Sequence, residues 1–341
     1  MRTADFEYPL PEELIAQAAR PRGTSRLLVL RRESGRVVFD RIGSLPALLD
    51  PSDLLLLNDV RVIPARLRAQ RRGGGETELL LVRPLGGALW EVMARPAKRL
   101  RAGVALALAA GEAVPRERLA EGRWRVEFAP PLDERALASV GEVPLPPYIR
   151  RPDGPSEADR LRYQTVYAHV GRAVAAPTAG LHFTRELLGA VAERGIEVAR
   201  VTLHVGPGTF KPVQAEDPAN HRLDPEDYEI AASAATALNR ALVAGRRVVC
   251  VGTTSCRALE HALQRGSGRV LPGGARADLF IVPGYRFRGT GGLLTNFHLP
   301  RSTLLMLVSA LAGRERVLAA YARAVRERFA FYSFGDAMLV V

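Results

Sequence analysis

Hydroxyl, amide and imidazole side chains recur in this chain directly after apolar runs, where a strand would give way to a helix. The run Asn296-Phe297-His298-Leu299-Pro300-Arg301-Ser302-Thr303 follows the apolar lead-in Leu293 to Thr295. Pro300 suits the first turn of a helix, where its missing N–H removes no hydrogen bond, and Ser302 and Thr303 offer hydroxyls beside unpaired backbone donors. Such a turn suits an anion or a polar ligand. The same chemistry follows Val248 to Val251, in Gly252-Thr253-Thr254-Ser255, where glycine permits close backbone approach and the hydroxyls stand at a helix start. An ordinary Ser/Thr cap is the plain alternative there. Val201 to His204 leads into Val205-Gly206-Pro207-Gly208-Thr209-Phe210-Lys211, a tight turn able to wrap a ligand or to be a bare turn. Ala176-Pro177-Thr178-Ala179-Gly180-Leu181-His182-Phe183-Thr184 enters a helix near residues 185–194. A lone histidine is most often structural; three such loops beside a fourth turn favour a shared site.

These loops need a frame. Up to residue 60 the pattern gives a helical segment at 12–19, strands at 26–30 and 37–40, and the apolar run 54–57 ending in Asn58-Asp59. From 66 to about 143, short β-type runs at 78–82, 89–93 and 124–128 are separated by breaks such as Gly73-Gly74-Gly75. That predicts a small antiparallel barrel or sandwich. Beyond Pro144-Leu145-Pro146-Pro147 the pattern alternates: strand 197–203, helix 225–244, strand 247–251, helix 254–264, strands 279–282 and 293–297, then helices at 302–312 and 315–328. Alternation of this kind favours a mixed sheet with covering helices. The fold class expected is therefore an α/β main domain, residues 1–60 plus 149–341, with an inserted, mostly antiparallel β-barrel-like domain at 61–148. In open α/β sheets ligands bind at the carboxyl ends of strands, where three of the four loops fall.

At 341 residues, 47% hydrophobic and 25% charged, the chain can bury at least one large core. The longest apolar stretch, 302–312, is too short to cross a bilayer, and the N-terminal residues lack the apolar core of a signal peptide. A cytoplasmic location and no membrane association are expected. Cys250 and Cys256 match neither a zinc knuckle nor a redox pair, and the six histidines form no metal-binding pattern. Free thiols and no metal are expected. Net charge is +12, and residues 61–150 carry 16 Lys+Arg against 10 Asp+Glu, half the excess in about a quarter of the chain. Such a face suits nucleic-acid phosphates or is simply solvated. Only Lys98 and Lys211 among 48 basic residues are lysines, so an arginine bias inflates the overall charge, and the asymmetry is the better guide. Neither a P-loop nor GxGxxG between a strand and a helix occurs, which disfavours nucleotide-fingerprint enzymes and an ordinary RNA methyltransferase.

As a set the loops are more specific. The segments 57–66, Tyr163-Gln164-Thr165-Val166-Tyr167, 175–184, 201–213, 252–255, Pro283-Gly284-Tyr285-Arg286-Phe287, 294–308 and Ser333-Phe334-Gly335-Asp336-Ala337-Met338 closely resemble the S-adenosylmethionine:tRNA ribosyltransferase-isomerase family, over essentially the whole chain. The resemblance implies transfer and isomerisation of the ribosyl part of S-adenosylmethionine onto 7-aminomethyl-7-deazaguanine at the wobble position of tRNA. The products are epoxyqueuosine-tRNA, adenine and methionine. Two positions depart from the family pattern: Asp224 stands where a histidine is usual, and Gly23 where an aspartate is common.

That chemistry needs a base at the carbon next to the sulfonium, a proton donor for adenine, and a deprotonated amine. Histidine suits these steps near neutral pH. His182, His204 and His298 are the candidates, with Asp59 and Asp336 as further catalytic candidates. Substrate contacts are expected from Thr178, Thr184, Thr209, Lys211, Thr253, Thr254, Ser255, Asn296, Arg301 and Ser302, and tRNA contacts from Arg61, Arg66 and Arg286. No cofactor is expected, S-adenosylmethionine being a co-substrate, and the protein is expected to be a monomer. A catalytically silent RNA-binding protein would explain the charge but leave the Thr, Ser and His loops idle.

Overall fold

The computed structural model describes residues 1–210, 213 and 215–341, apart from the side chains of residues 209 and 210. Two compact units divide them: Met1–Val60, Gln164–Gly171 and Ala176–Val341 form the first, and Arg61–Tyr163 with Arg172–Ala175 the second.

In the first unit nine strands of the described residues form one sheet, ordered Gly273–Ala277, Glu226–Ile230, Glu197–Leu203, Leu54–Asn58, Val248–Val251, Thr290–Asn296, Ala337–Val340, Arg26–Leu30 and Val37–Arg41. The four from Glu197–Leu203 to Thr290–Asn296 run parallel, with Leu54 beside both Glu197 and Val248. Strands buried on both faces read as continuous apolar runs, and Leu54 to Leu57 and Val248 to Val251 are wholly buried. Helix Arg185–Glu193 covers one face, its Leu187 and Val191 packing with Leu55, Leu57, Val249 and Leu294. Parallel alignment brings the ends Asn58, Val251 and Asn296 to one edge, and the loops that follow them meet there.

The second unit contains a closed antiparallel barrel in the order Arg123–Ala129, Leu89–Arg95, Glu76–Gly86, Arg66–Arg71, Leu106–Leu108, Gly111–Arg118. Alternation decides which side faces in: Leu67, Ala69, Leu79, Leu81, Trp90, Val92, Trp124, Val126 and Phe128 fill the interior. This unit runs on to Tyr163, past the boundary expected at 148. The proline cluster packs into this unit: Leu145 is buried and its carbonyl accepts from Arg66 Nη2 at 2.9 Å. Helix Glu157–Arg162 is tied back by Arg160 Nη2, which donates to the Ala138 carbonyl at 3.0 Å.

Three expected elements differ. Residues 225–231 begin not a helix but the strand Glu226–Ile230, whose residues 226, 228 and 230 point inward with period two, and the helix is Ala232–Val243. The segment 279–282 is irregular, and the strand lies at Gly273–Ala277, hidden by two glycines that carry no hydrophobic signal. At 12–19 only a short 3-10 turn, Glu12–Leu14, forms.

Candidate functional site

At the carboxyl edge of the parallel strands lies a pocket. Its polar lining is Thr178, Thr253, Thr254, Thr295, Asn296, His298, Tyr332 and Ser333. Gly252, at φ 89, turns the chain from Val251 into helix Thr253–Arg265, and its N–H donates to the Leu294 carbonyl at 2.7 Å. A side chain would be strained in that left-handed conformation. Asn58, buried at the end of its strand, receives the Leu203 N–H on Oδ1 at 3.0 Å, and its Nδ2 donates to the Leu203 carbonyl at 3.1 Å and to Thr254 Oγ1 at 3.4 Å. The amide thus locks two strand ends and a helix start together.

Asn296 is held from behind: its Nδ2 donates to the carbonyls of Tyr332 at 2.9 Å and Ser333 at 3.4 Å. That leaves its buried Oδ1 without a hydrogen-bond partner among the described residues. His182, 4% exposed, shares a 2.8 Å contact from Nδ1 to Ser25 Oγ, and its Nε2 is likewise unpartnered among the described residues. Burial pushes this imidazole down to about 4, opposed in part by the nearby Asn296 amide. The two side chains are close enough for that influence, but Nε2 and Oδ1 fall short of hydrogen-bond geometry. His298 lines the pocket, its Nε2 2.9 Å from Thr295 Oγ1, its N–H donated to Tyr321 Oη and its carbonyl receiving Tyr8 Oη–H. Burial takes it down to about 3. Both imidazoles are neutral at pH 7 and able to accept a proton.

The structure therefore brings together Thr178, Thr253, Thr254, Asn296 and His298, with His182 beside Asn296. It leaves others out of the pocket lining. The His204 ring lies towards Gly171 and Thr202, where its Cε1 would be 2.8 Å from a Cβ on residue 171. Asp59 accepts from Thr202 Oγ1 at 2.7 Å. Asp336, wholly buried, accepts from Arg20 Nη1, the Arg26 N–H and the Ala330 N–H at 3.2, 2.9 and 2.8 Å, a carboxylate used to fasten chain segments. Thr184 and Ser302 cap helices Arg185–Glu193 and Thr303–Ala312, and Ser255 Oγ donates to the Val251 carbonyl within its own turn. Arg301 pairs with Glu7. Lys211 and the side chain of Thr209 lie outside the described residues. In the second unit Arg61 pairs with Glu134, and Arg66 is paired with Glu78 as well as bonded to Leu145. Arg286, in the first unit, is exposed.

Sequence reasoning missed Thr295, Tyr332 and Ser333 as wall residues, although Ser333 begins one of the segments singled out above. It also missed Arg257 and Glu260 on helix Thr253–Arg265, both buried. Charged residues three apart on a helix read as a solvated face. Glu260 instead accepts from Tyr285 Oη, the N–H groups of Arg288, Gly289 and Thr290, and Thr290 Oγ1, at 2.7 to 3.1 Å. Among the described residues no group of three or more His, Cys, Asp or Glu could hold a metal ion, and no helix is long and apolar enough to cross a membrane.

Residues 3–340 match the model of a family described as queuosine biosynthesis protein. A relative from Anaeromyxobacter sp. (strain Fw109-5), named S-adenosylmethionine:tRNA ribosyltransferase-isomerase, is 50% identical over 100% of this chain and 99% of its own. One of the same name from Trichlorobacter lovleyi is 49% identical over the full length of both. The crystal structure of S-adenosylmethionine tRNA ribosyltransferase from Thermotoga maritima is similar with a TM-score of 0.55 and 35% identity, covering 99% of this chain and 100% of that one.

Proposed function

The chain belongs to the queuosine biosynthesis family, and from that premise we propose that it is an S-adenosylmethionine:tRNA ribosyltransferase-isomerase. It transfers the ribosyl part of S-adenosylmethionine to the aminomethyl group of 7-aminomethyl-7-deazaguanine at the wobble position of tRNA. The ribosyl group rearranges to an epoxycyclopentanediol, and adenine and methionine leave. The observation that carries this reading is the convergence of four separate loops on one pocket at the strand ends, with the neutral imidazole of His298 in its wall and that of His182 behind it beside Asn296.

The sulfonium acidifies the ribose carbon beside it, and a neutral imidazole can take that proton. His182, with Nε2 unpartnered, and His298, in the pocket wall, are the two groups suited to it. Thr178, Thr253 and Thr254 offer hydroxyls for the ribose and base, and Asn296 Oδ1 is an acceptor for an N–H or O–H of the ligand. Arg61, Arg66 and Arg286 are proposed to meet tRNA phosphates. The reaction calls for no metal or redox cofactor, and the protein is proposed to act as a cytoplasmic monomer.

Product identity tests the reading. With tRNA carrying 7-aminomethyl-7-deazaguanine and S-adenosylmethionine, adenine and methionine should appear together in equal amounts. S-adenosylhomocysteine in place of adenine would make the protein a methyltransferase.

A further inference from the structure

A second, smaller hollow adjoins the first, and Leu304 stands in the wall of both. Leu223, Phe280, Ile281 and Leu307 make it apolar on one side, while Asp224, Glu226 and Arg257 bring charge to the other. Arg257 is 5% exposed. Its Nε donates to the Leu279 carbonyl at 3.2 Å and its Nη1 to Glu226 Oε2 at 2.5 Å. Glu226 is itself fixed, because its Oε1 accepts the Gly206 N–H at 2.9 Å. Arg257 Nη2, also buried, has no hydrogen-bond partner among the described residues. A buried cationic donor without an acceptor is costly, which points to an acceptor brought by a ligand.

Other features of the same wall specify that acceptor. Thr303 and Leu304 open helix Thr303–Ala312, and its cap Ser302 Oγ accepts the Leu305 N–H at 3.2 Å. The first-turn amides of Thr303 and Leu304 have no intrahelical acceptor, and the positive end of the helix dipole lies there. A guanidinium edge together with a helix start suits a carboxylate. Asp224 faces the same hollow from across Gly208: a Cβ on residue 208 would come within 2.5 Å of Asp224 Oδ2, so only glycine leaves the carboxylate its place. A carboxylate-seeking edge near a carboxylate matches an ammonium and a carboxylate borne on one carbon.

We propose that this hollow takes the α-amino-acid end of S-adenosylmethionine, an inference that rests on the proposed function. Arg257 Nη2 and the amides of Thr303 and Leu304 hold its carboxylate, Asp224 holds its ammonium, and Phe280 and Ile281 pack on its methylene chain. The nucleoside then falls in the adjoining Thr and Asn pocket.

Binding constants for S-adenosylmethionine, decarboxylated S-adenosylmethionine and 5′-methylthioadenosine, measured by calorimetric titration and competition, test the assignment. The wild-type protein should favour S-adenosylmethionine over the decarboxylated form by roughly 10- to 100-fold, the scale of a hydrogen bond to a charged group. Arg257→Lys keeps a charge beside Glu226 but removes the guanidinium edge. It should erase that preference while binding 5′-methylthioadenosine as before. Asp224→Asn, at a half-buried position, should weaken both amino-bearing ligands by a similar factor and leave 5′-methylthioadenosine unchanged, so the outcome does not depend on the folding of the arginine variant. Equal wild-type affinity for the first two ligands, or variants that lose all three ligands in parallel, overturns the subsite while leaving the proposed function standing. A wild-type protein that binds no S-adenosylmethionine overturns both.

Discussion

Lowering the pH from 7.5 to 5.5 should destabilise the first unit through two histidines. His182 and His298 are buried at 4% and 5% exposure and held down to about 4 and about 3. An unfolded histidine titrates near 6.5. Because the folded values lie below the unfolded one, their stability contribution is complete above about pH 6.5 and is lost as the pH falls towards the folded values. At pH 5.5 the unfolded chain has taken up a proton at each site and the folded chain has not, costing about 1.4 kcal/mol per histidine and about 3 kcal/mol for the pair. His261, lowered chiefly by burial, adds in the same direction. All six histidines lie in the first unit and none in the second. Since two-unit chains need not unfold in one step, the assay is hydrogen exchange at the two pH values, with opening energies compared for strand Thr290–Asn296 and barrel strand Arg123–Ala129. The first should fall by the amount above and the second should stay. His182→Gln and His298→Gln together should reduce the loss to what His261 leaves. Equal opening energies in strand Thr290–Asn296 at pH 7.5 and 5.5, or a full loss in the double variant, would refute the reasoning.

The same neutral imidazoles predict that kcat/KM shows no acid limb near pH 6.5, since the free-enzyme values lie at about 4 and about 3; a limb at 6 to 7 in a steady-state profile would move the essential base elsewhere. Glu260→Ala should cost several kcal/mol and speed amide exchange at residues 288–290, because five donors lose a buried acceptor; exchange rates there that match the wild type would deny the carboxylate its anchoring role. Arg286→Ala should weaken tRNA binding and flatten the slope of log affinity against log salt by about one contact; an unchanged slope in filter-binding titrations would remove Arg286 from the tRNA surface.

Strands with undiluted signals were legible: the apolar runs Leu54 to Leu57 and Val248 to Val251, and the alternating barrel runs around Leu79 and Trp124, fall where composition and period put them. Glu226–Ile230 and Gly273–Ala277 were not, because their pairing at one edge of the sheet is a tertiary fact that acidic residues and glycines conceal locally. At the site, residue type identified Thr253, Thr254, Asn296 and His298, whose loops follow strands. It could not separate a hydroxyl facing a ligand from one capping a helix, as Thr184, Ser255 and Ser302 do. Nor could it tell that Asp336 fastens the backbone of Arg26 and Ala330, or that Arg257 is buried. The Asp336–Arg26 contact and the burial of Arg257 depend on residues far apart in the chain.

The most direct test of the chemistry is single-turnover release of adenine from S-adenosylmethionine in the presence of the modified tRNA, with His182→Gln, His298→Gln and His204→Gln compared. At least one of the first two should slow release by roughly 10²-fold or more, the scale of a lost general base, with S-adenosylmethionine affinity retained and His204→Gln close to wild type. Wild-type rates in both pocket-side variants, or loss of release in His204→Gln alone, would contradict a base at this pocket.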